Sequence, residues 1–171
     1  MGITARYVRM PPEQFQQLIQ KNDSLMDIFF PKPRRDKKPE THYEIFDLDK
    51  NWQELHFLLT GQIAYPDIRG NATPLNNAIL GGHWTTIDAG YDKVRYLLPE
   101  EVQAVVSVFD QFTPDWLRTR YKNQFKLAVH ASRFQNWSDD TLAFYLDLFS
   151  ELKLFFERAS QAGNIVGMGL F

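Results

Sequence analysis

Two of the four histidines have neighbours that could support chemistry. Histidine is the side chain best suited to proton transfer near neutral pH. His56 follows Trp52 by four residues, so on a helix the two side chains would be neighbours. In a binding site the indole would stack on a ligand and the imidazole would act as a general base. In the alternative interpretation Trp52 anchors the core and His56 bonds a backbone group, because buried polar groups need a partner.

The second candidate is His83, which follows two glycines and precedes an aromatic ring and a carboxylate. The glycines would allow the backbone to approach a ligand closely, and Asp88 could orient the imidazole. A loop carrying a tethered aromatic ring is the alternative interpretation of this segment. The candidate pocket comprises Trp52, His56, His83, Trp84 and Asp88.

No other pattern in the sequence indicates a reaction. Cysteine is absent, which excludes disulfides, thiolate metal sites, iron–sulfur clusters and cysteine nucleophiles. The sequence has no His-Glu-x-x-His motif, no Gly-x-Ser-x-Gly elbow and no glycine-rich phosphate turn. A metal site would require His56 and His83 to converge through the fold. We therefore expect no cofactor and no metal, and the catalytic residues of any enzymatic activity are unknown.

Trp52 and His56 lie in a segment with helical periodicity. Residues 47–61 are predicted to form one helix, with acids at its start and Gly61 as its C-terminal stop. Leu48, Trp52, Leu55 and Leu59 fall on one stripe of that helix, which would face the core.

Capping signals and apolar periodicity predict the remaining elements. The segment at 125–137 has weak periodicity and is predicted to be strand or loop. The predicted strands cover 3–10, 94–97 and 165–171, and the predicted helices follow Pro11-Pro12, Thr73-Pro74, Pro99, Thr113-Pro114 and Ser138. The sequence therefore predicts a mixed α and β (α+β) fold, in which a small sheet including the N-terminal and C-terminal strands packs against several helices.

One stretch interrupts this pattern. Residues 31–39 carry five basic residues, one acid and three prolines, so they are predicted to form an exposed loop. Their charge of +4 leaves −6 on the rest of the chain, whose net charge is −2. The loop could hold an acidic partner or a phosphate, or it could simply be solvated. Without repeats or a second linker, residues 1–171 are predicted to form a single domain.

Composition limits the class of protein. The chain has 171 residues, of which 44% are hydrophobic and 23% charged, enough apolar surface for a core. Its net charge of −2 argues against nucleic acid or a membrane surface as a partner. No apolar run approaches the roughly 20 residues of a membrane span, and the first residues lack a signal-peptide pattern. We therefore expect a cytoplasmic protein.

Three blocks of sequence resemble the YfbM-like bacterial proteins, a family catalogued as domain of unknown function 1877. The first is the most specific. Together with the near-initial Met1-Gly2 and the closing helix, glycine and apolar strand, which are also similar, they cover almost the whole chain. The blocks are Asp49-Lys50-x-Trp52-x-x-Leu55-His56-x-Leu58-Leu59-Thr60-Gly61, Pro74-Leu75 with Ala78-x-Leu80-Gly81, and Leu98-Pro99-Glu100-Glu101-Val102. The resemblance implies a mixed α and β domain and supplies no established activity. Small acidic bacterial proteins sometimes serve as immunity proteins beside toxin genes, which is an analogy of size and charge.

Two functions follow from these observations. The first is a non-enzymatic protein-interaction module, which would associate with itself or bind a protein partner through its acidic body and exposed aromatic rings. The second is a small-ligand-binding protein or an enzyme, in which the five pocket residues bind the ligand and a histidine serves as the general base.

Overall fold

An antiparallel sheet organises the chain. The structure, a computed structural model, describes residues 2–21, 24–30, 43–63, 73–128 and 138–171. Within these residues five strands pair in the order β2-β1-β5-β4-β3. The strands are β1 (Ala5–Met10), β2 (Glu44–Asp49), β3 (His83–Asp88), β4 (Lys93–Leu97) and β5 (Ile165–Leu170). The first and last strands therefore lie side by side in the interior of the sheet, and β2 and β3 are its edges.

Seven helices lie in the described residues, and several begin at the caps that the sequence indicates. The Thr73 side chain accepts a hydrogen bond from the backbone of Asn76, and Ser138 accepts one from Thr141. The helices are α1 (Pro12–Gln20), α2 (Ser24–Phe29), α3 (Trp52–Thr60), α4 (Pro74–Leu80), α5 (Pro99–Phe109), α6 (Pro114–Ala128) and α7 (Asp139–Gln161).

The sheet separates two hydrophobic cores. Successive side chains of a strand point to opposite faces, so Tyr7 joins one core and Val8 the other. The larger core is covered by α3 to α7, and the smaller one by α1 and α2. Phe15 of α1 packs closely on β5, where a Cβ on Gly167 would lie 2.9 Å from the phenyl ring. A glycine at this position is what allows the close approach.

Two predicted boundaries are wrong. Residues 47–49, predicted to lie in the helix, belong to β2, and the helix begins only at Trp52. Asp49 adopts a positive φ of 49°, which turns the chain from strand to helix. The apolar spacing from Leu48 to Trp52 imitates a helical step because both side chains are buried in the same core. At 125–128 the chain continues α6 instead of forming a strand or loop, and the rest of that predicted segment, 129–137, lies outside the described residues.

The mixed α and β fold with both terminal strands in the sheet is confirmed. The predicted basic loop at 31–39 lies outside the described residues, and the single domain at 1–171 stays a prediction. None of the described helices is long and apolar enough to cross a membrane.

Candidate functional site

Trp52 and His56 lie on the inner side of α3. Trp52 is fully buried, and its indole Nε1 donates a hydrogen bond to the backbone oxygen of Ile3 at 3.0 Å. This bond ties the start of α3 to the segment before β1. His56 is 1% exposed. Trp52 and His56 are therefore neighbours on one helix, as predicted from their spacing, and both rings are enclosed by protein.

Both ring nitrogens of His56 have protein neighbours. Nε2 lies 2.8 Å from the side-chain oxygen of Asn76, and Nδ1 lies 3.1 Å from the backbone oxygen of Gln62. Two acceptors would require the charged imidazolium, but burial lowers the pKa of His56 below its ordinary value and favours the neutral ring. A neutral ring satisfies both contacts when Nδ1 donates to Gln62 and the Asn76 amide is turned so that its NH2 group donates to Nε2.

His83 is exposed at the start of β3. Its side chain is 45% exposed, and Nε2 lies 3.1 Å from a carboxylate oxygen of Glu101. The imidazole also lies over the ring of Tyr96, with a centroid separation of 5.2 Å. The other carboxylate oxygen of Glu101 accepts the backbone N–H of Leu98, which fixes the carboxylate. A charged residue at the start of α5 thus orients the imidazole.

The acid that orients His83 is not the one predicted from the sequence. Asp88 lies at the opposite end of β3 from His83, and its carboxylate accepts the backbone N–H of Gly90. In the sequence Glu101 is visible only as an acid in the first turn of a helix. Its contact with His83 depends on how α5 packs beside β3, so no local signal in the sequence indicates it.

Trp84 is exposed on β3, and its ring packs against a buried side chain of the neighbouring strand. The residue is 48% exposed, and its ring centroid lies 3.8 Å from the guanidinium carbon of Arg95 on β4, directly opposite in the register. Arg95 is 3% exposed and donates hydrogen bonds to the carboxylate of Asp92 and the backbone oxygen of Leu80. Arg95 is not predicted from the sequence, because a buried arginine has no local signature.

Gly81 makes room for this arrangement. It has a φ of +72°, and a Cβ there would lie 2.7 Å from the Cβ of Arg95. Both the backbone conformation and the space favour glycine. The sequence predicts that this glycine lets the backbone approach a ligand. In the structure Gly81 accommodates Arg95.

The five predicted pocket residues fall into two groups. Trp52 and His56 are in the larger core, and His83, Trp84 and Asp88 are on β3. Among the described residues no hydrogen bond or ring contact joins the groups. The described residues also contain no cluster of three or more His, Asp or Glu side chains that could hold a metal ion. A common ligand pocket stays a prediction.

A groove lies at the opposite edge of the sheet. It has a volume of about 250 Å³ and is lined by Phe46 of β2 and by Glu151, Leu154 and Arg158 of α7. Arg158 forms two hydrogen bonds with Glu44, which Arg9 also contacts. Burial opposes ionisation of Glu44, but the two arginines hold its pKa below the ordinary value. No pattern in the sequence predicts this groove.

Comparisons with known proteins agree on a family. The family model described as a domain of unknown function, DUF1877, matches residues 1–168. Protein YfbM of Escherichia coli strain K12 is 27% identical over 124 residues, which are 71% of this chain and 67% of that protein. The crystal structure of YfbM from Escherichia coli, a protein of unknown function, has a TM-score of 0.70 at 20% identity. The matched region covers 98% of this chain and 99% of the YfbM chain, so the two proteins have the same fold. The resemblance seen in the sequence is confirmed, and the chain belongs to the DUF1877 family.

Proposed function

We propose that this chain is a protein-binding module and that the exposed surface of β3 around Trp84 contacts the partner. The observation that carries the proposal is the fixed, half-exposed indole of Trp84 on the buried guanidinium of Arg95. Tryptophan and arginine are enriched among the residues that dominate binding energy at protein interfaces. A ring that is already immobilised loses little conformational entropy when a partner covers it.

The position of β3 indicates the kind of contact. β3 is an edge strand that pairs with β4, so its other edge faces no described strand. Trp84, Thr86 and Asp88 alternate along its exposed face. A short extended segment of another protein could pair with this edge while an apolar side chain covers Trp84. The register shift between Trp84 and Asp88 would limit the length of that pairing.

Differential capture tests the proposal. Wild-type protein, Trp84→Ala and Phe30→Ala would each be immobilised and exposed to lysate of the cells that naturally produce the chain. Phe30 is the matched control because it is an aromatic residue of similar exposure directly after α2. We expect a protein that the wild type and Phe30→Ala retain and that Trp84→Ala loses by about tenfold or more.

Two results would contradict the proposal. Equal retention by Trp84→Ala would show that this surface does not bind the partner. A homodimer in light scattering that Trp84→Ala dissociates would identify a second copy, instead of another protein, as the occupant.

One observation favours a second function, a small-ligand-binding protein or an enzyme. Glu101 orients the exposed imidazole of His83, and Nδ1 of that ring contacts no described protein atom through a hydrogen bond. Such a ring could accept a proton from a bound substrate. Native mass spectrometry distinguishes this function. A small-molecule adduct that is lost in His83→Ala but kept in Trp84→Ala would support it.

A further inference from the structure

A second surface, on the outer side of α7, carries an inference independent of β3. Asp140, Phe144, Asp147, Glu151 and Leu154 are separated by alternating steps of four and three residues. Residues with this spacing lie along one side of a helix. We call these five residues the α7 outer stripe. At 1.5 Å per residue it extends about 21 Å along the helix.

The α7 outer stripe combines charge with large apolar side chains. Phe144 is 48% exposed and Leu154 is 51% exposed, although the rest of the large apolar side chains of α7 are mostly turned inward. The buried face consists of Leu142, Tyr145, Phe149, Leu152, Phe155, Phe156 and Ala159. The helix is therefore amphipathic, yet it presents two large apolar groups to solvent on its charged side.

The negative charge of the stripe is not neutralised within the described structure. Asp140, Asp147 and Glu151 form no ion pair or hydrogen bond with any described side chain. The basic groups nearby are already engaged. Arg158 binds Glu44, and Lys153 binds Asp110 and Glu157. Three carboxylates and two exposed apolar side chains thus share one side of the helix.

The groove described above continues this surface. Glu151 and Leu154 belong to the stripe and also line the groove, together with Phe46. The floor of the groove is fixed, because the ring of Phe46 stacks on buried Phe155 with a centroid separation of 5.5 Å. An apolar side chain entering the groove would therefore meet an ordered apolar surface with a carboxylate at its rim.

We propose that the α7 outer stripe and its groove form a docking site for a basic amphipathic helix of another protein. Lysine or arginine side chains on the partner would face the three carboxylates, and one apolar side chain would enter the groove beside Phe46. Charge complementarity selects this occupant. A second copy that docks through the same stripe would place acids against acids, and nucleic acid or an anionic membrane would be repelled.

A synthetic peptide tests this site directly. The probe is an amphipathic helix of about three heptads, with leucine at positions a and d and lysine at e and g. A peptide of the same composition in scrambled order is the control ligand. Binding to the intact chain is measured by fluorescence anisotropy at low salt. We expect the amphipathic peptide to bind at least about tenfold more tightly than the scrambled one.

Matched variants locate the binding. The double variant Asp147→Lys, Glu151→Lys reverses two charges of the stripe and should weaken binding about tenfold or more. The control is Glu13→Lys, Glu100→Lys, which makes the same charge change at exposed positions on α1 and α5. Leu154→Ser removes an exposed apolar side chain and should weaken binding without reducing stability. Trp84→Ala should leave peptide binding unchanged, because it lies on the separate β3 surface.

Three results would overturn the inference. The first is equal binding of the amphipathic and scrambled peptides. The second is equal weakening by the two double variants, which would show that only net charge matters. The third is full binding by the variant with Asp147 and Glu151 reversed, which would place the peptide elsewhere on the molecule.

Discussion

At the scale of single residues, His56 makes the stability of the fold depend on pH. Burial lowers its pKa in the folded state, whereas the unfolded chain has the ordinary value of about 6.5. Below that value the unfolded state binds the proton more readily, so acidification favours unfolding. The stabilisation is complete above about pH 6.5 and is lost as the pH falls toward the folded-state pKa. The slope reaches at most about 1.4 kcal/mol per pH unit.

Urea unfolding of wild type and His56→Gln between pH 7.5 and 5 measures this effect. Glutamine keeps a hydrogen-bonding side chain without the titration, so the difference in unfolding free energy between the two proteins should shrink as the pH falls. Glu44 also has a lowered pKa, but its contribution is lost at lower pH, near and below the ordinary range of glutamate. A constant difference across this range, or an imidazole that titrates near pH 6.5 in NMR spectra, would contradict the buried neutral ring.

At the scale of elements, Gly167 sets the distance between α1 and β5. In a strand, replacing glycine by alanine normally stabilises by restricting the unfolded chain. Here a Cβ would lie 2.9 Å from the ring of fully buried Phe15 and 3.2 Å from a methyl of Val8. We therefore expect Gly167→Ala to destabilise by about 1–3 kcal/mol.

A double-mutant cycle tests the physical cause of that loss. Phe15→Leu should be less costly in the Gly167→Ala background than in the wild type, because the smaller side chain relieves the overlap. Thermal unfolding of the four proteins gives the coupling energy. Additive effects, or a gain in stability from Gly167→Ala alone, would show that the strand and helix are not in tight contact.

Elements held by local interactions could be predicted from the sequence, and an element held by distant pairing could not. The starts of α4 and α7 were predictable because the side chains of Thr73 and Ser138 cap their own helices, which is a local interaction. β2 was missed because its pairing with β1 joins positions about 40 residues apart, as between Phe46 and Tyr7. Such a long-range pairing leaves only a weak signal in the local sequence. The four-residue apolar spacing from Leu48 to Trp52 indicated a helix instead.

At the scale of the whole molecule, the strand order predicts how local stability is distributed. β5 is the third of the five described strands, and all six of its residues are buried. β3 is an edge strand with four exposed residues. In hydrogen–deuterium exchange we expect the amides of β5 to exchange about tenfold more slowly, or more slowly still, than those of β3. Equal protection of the two strands would contradict this topology or show that the edge of β3 is covered in solution.

The sequence by itself determined the family, the fold class and most of the helix starts, because these depend on local caps, apolar periodicity and short motifs. It also placed Trp52 and His56 as neighbours on one helix, since that follows from spacing alone. Only the tertiary structure decided which candidate side chains are enclosed and which reach solvent. His56 is hydrogen-bonded to Asn76, and the ring of Trp84 packs on Arg95, partners that lie 20 and 11 positions away. These contacts form through the packing of separate elements, and no local pattern encodes them.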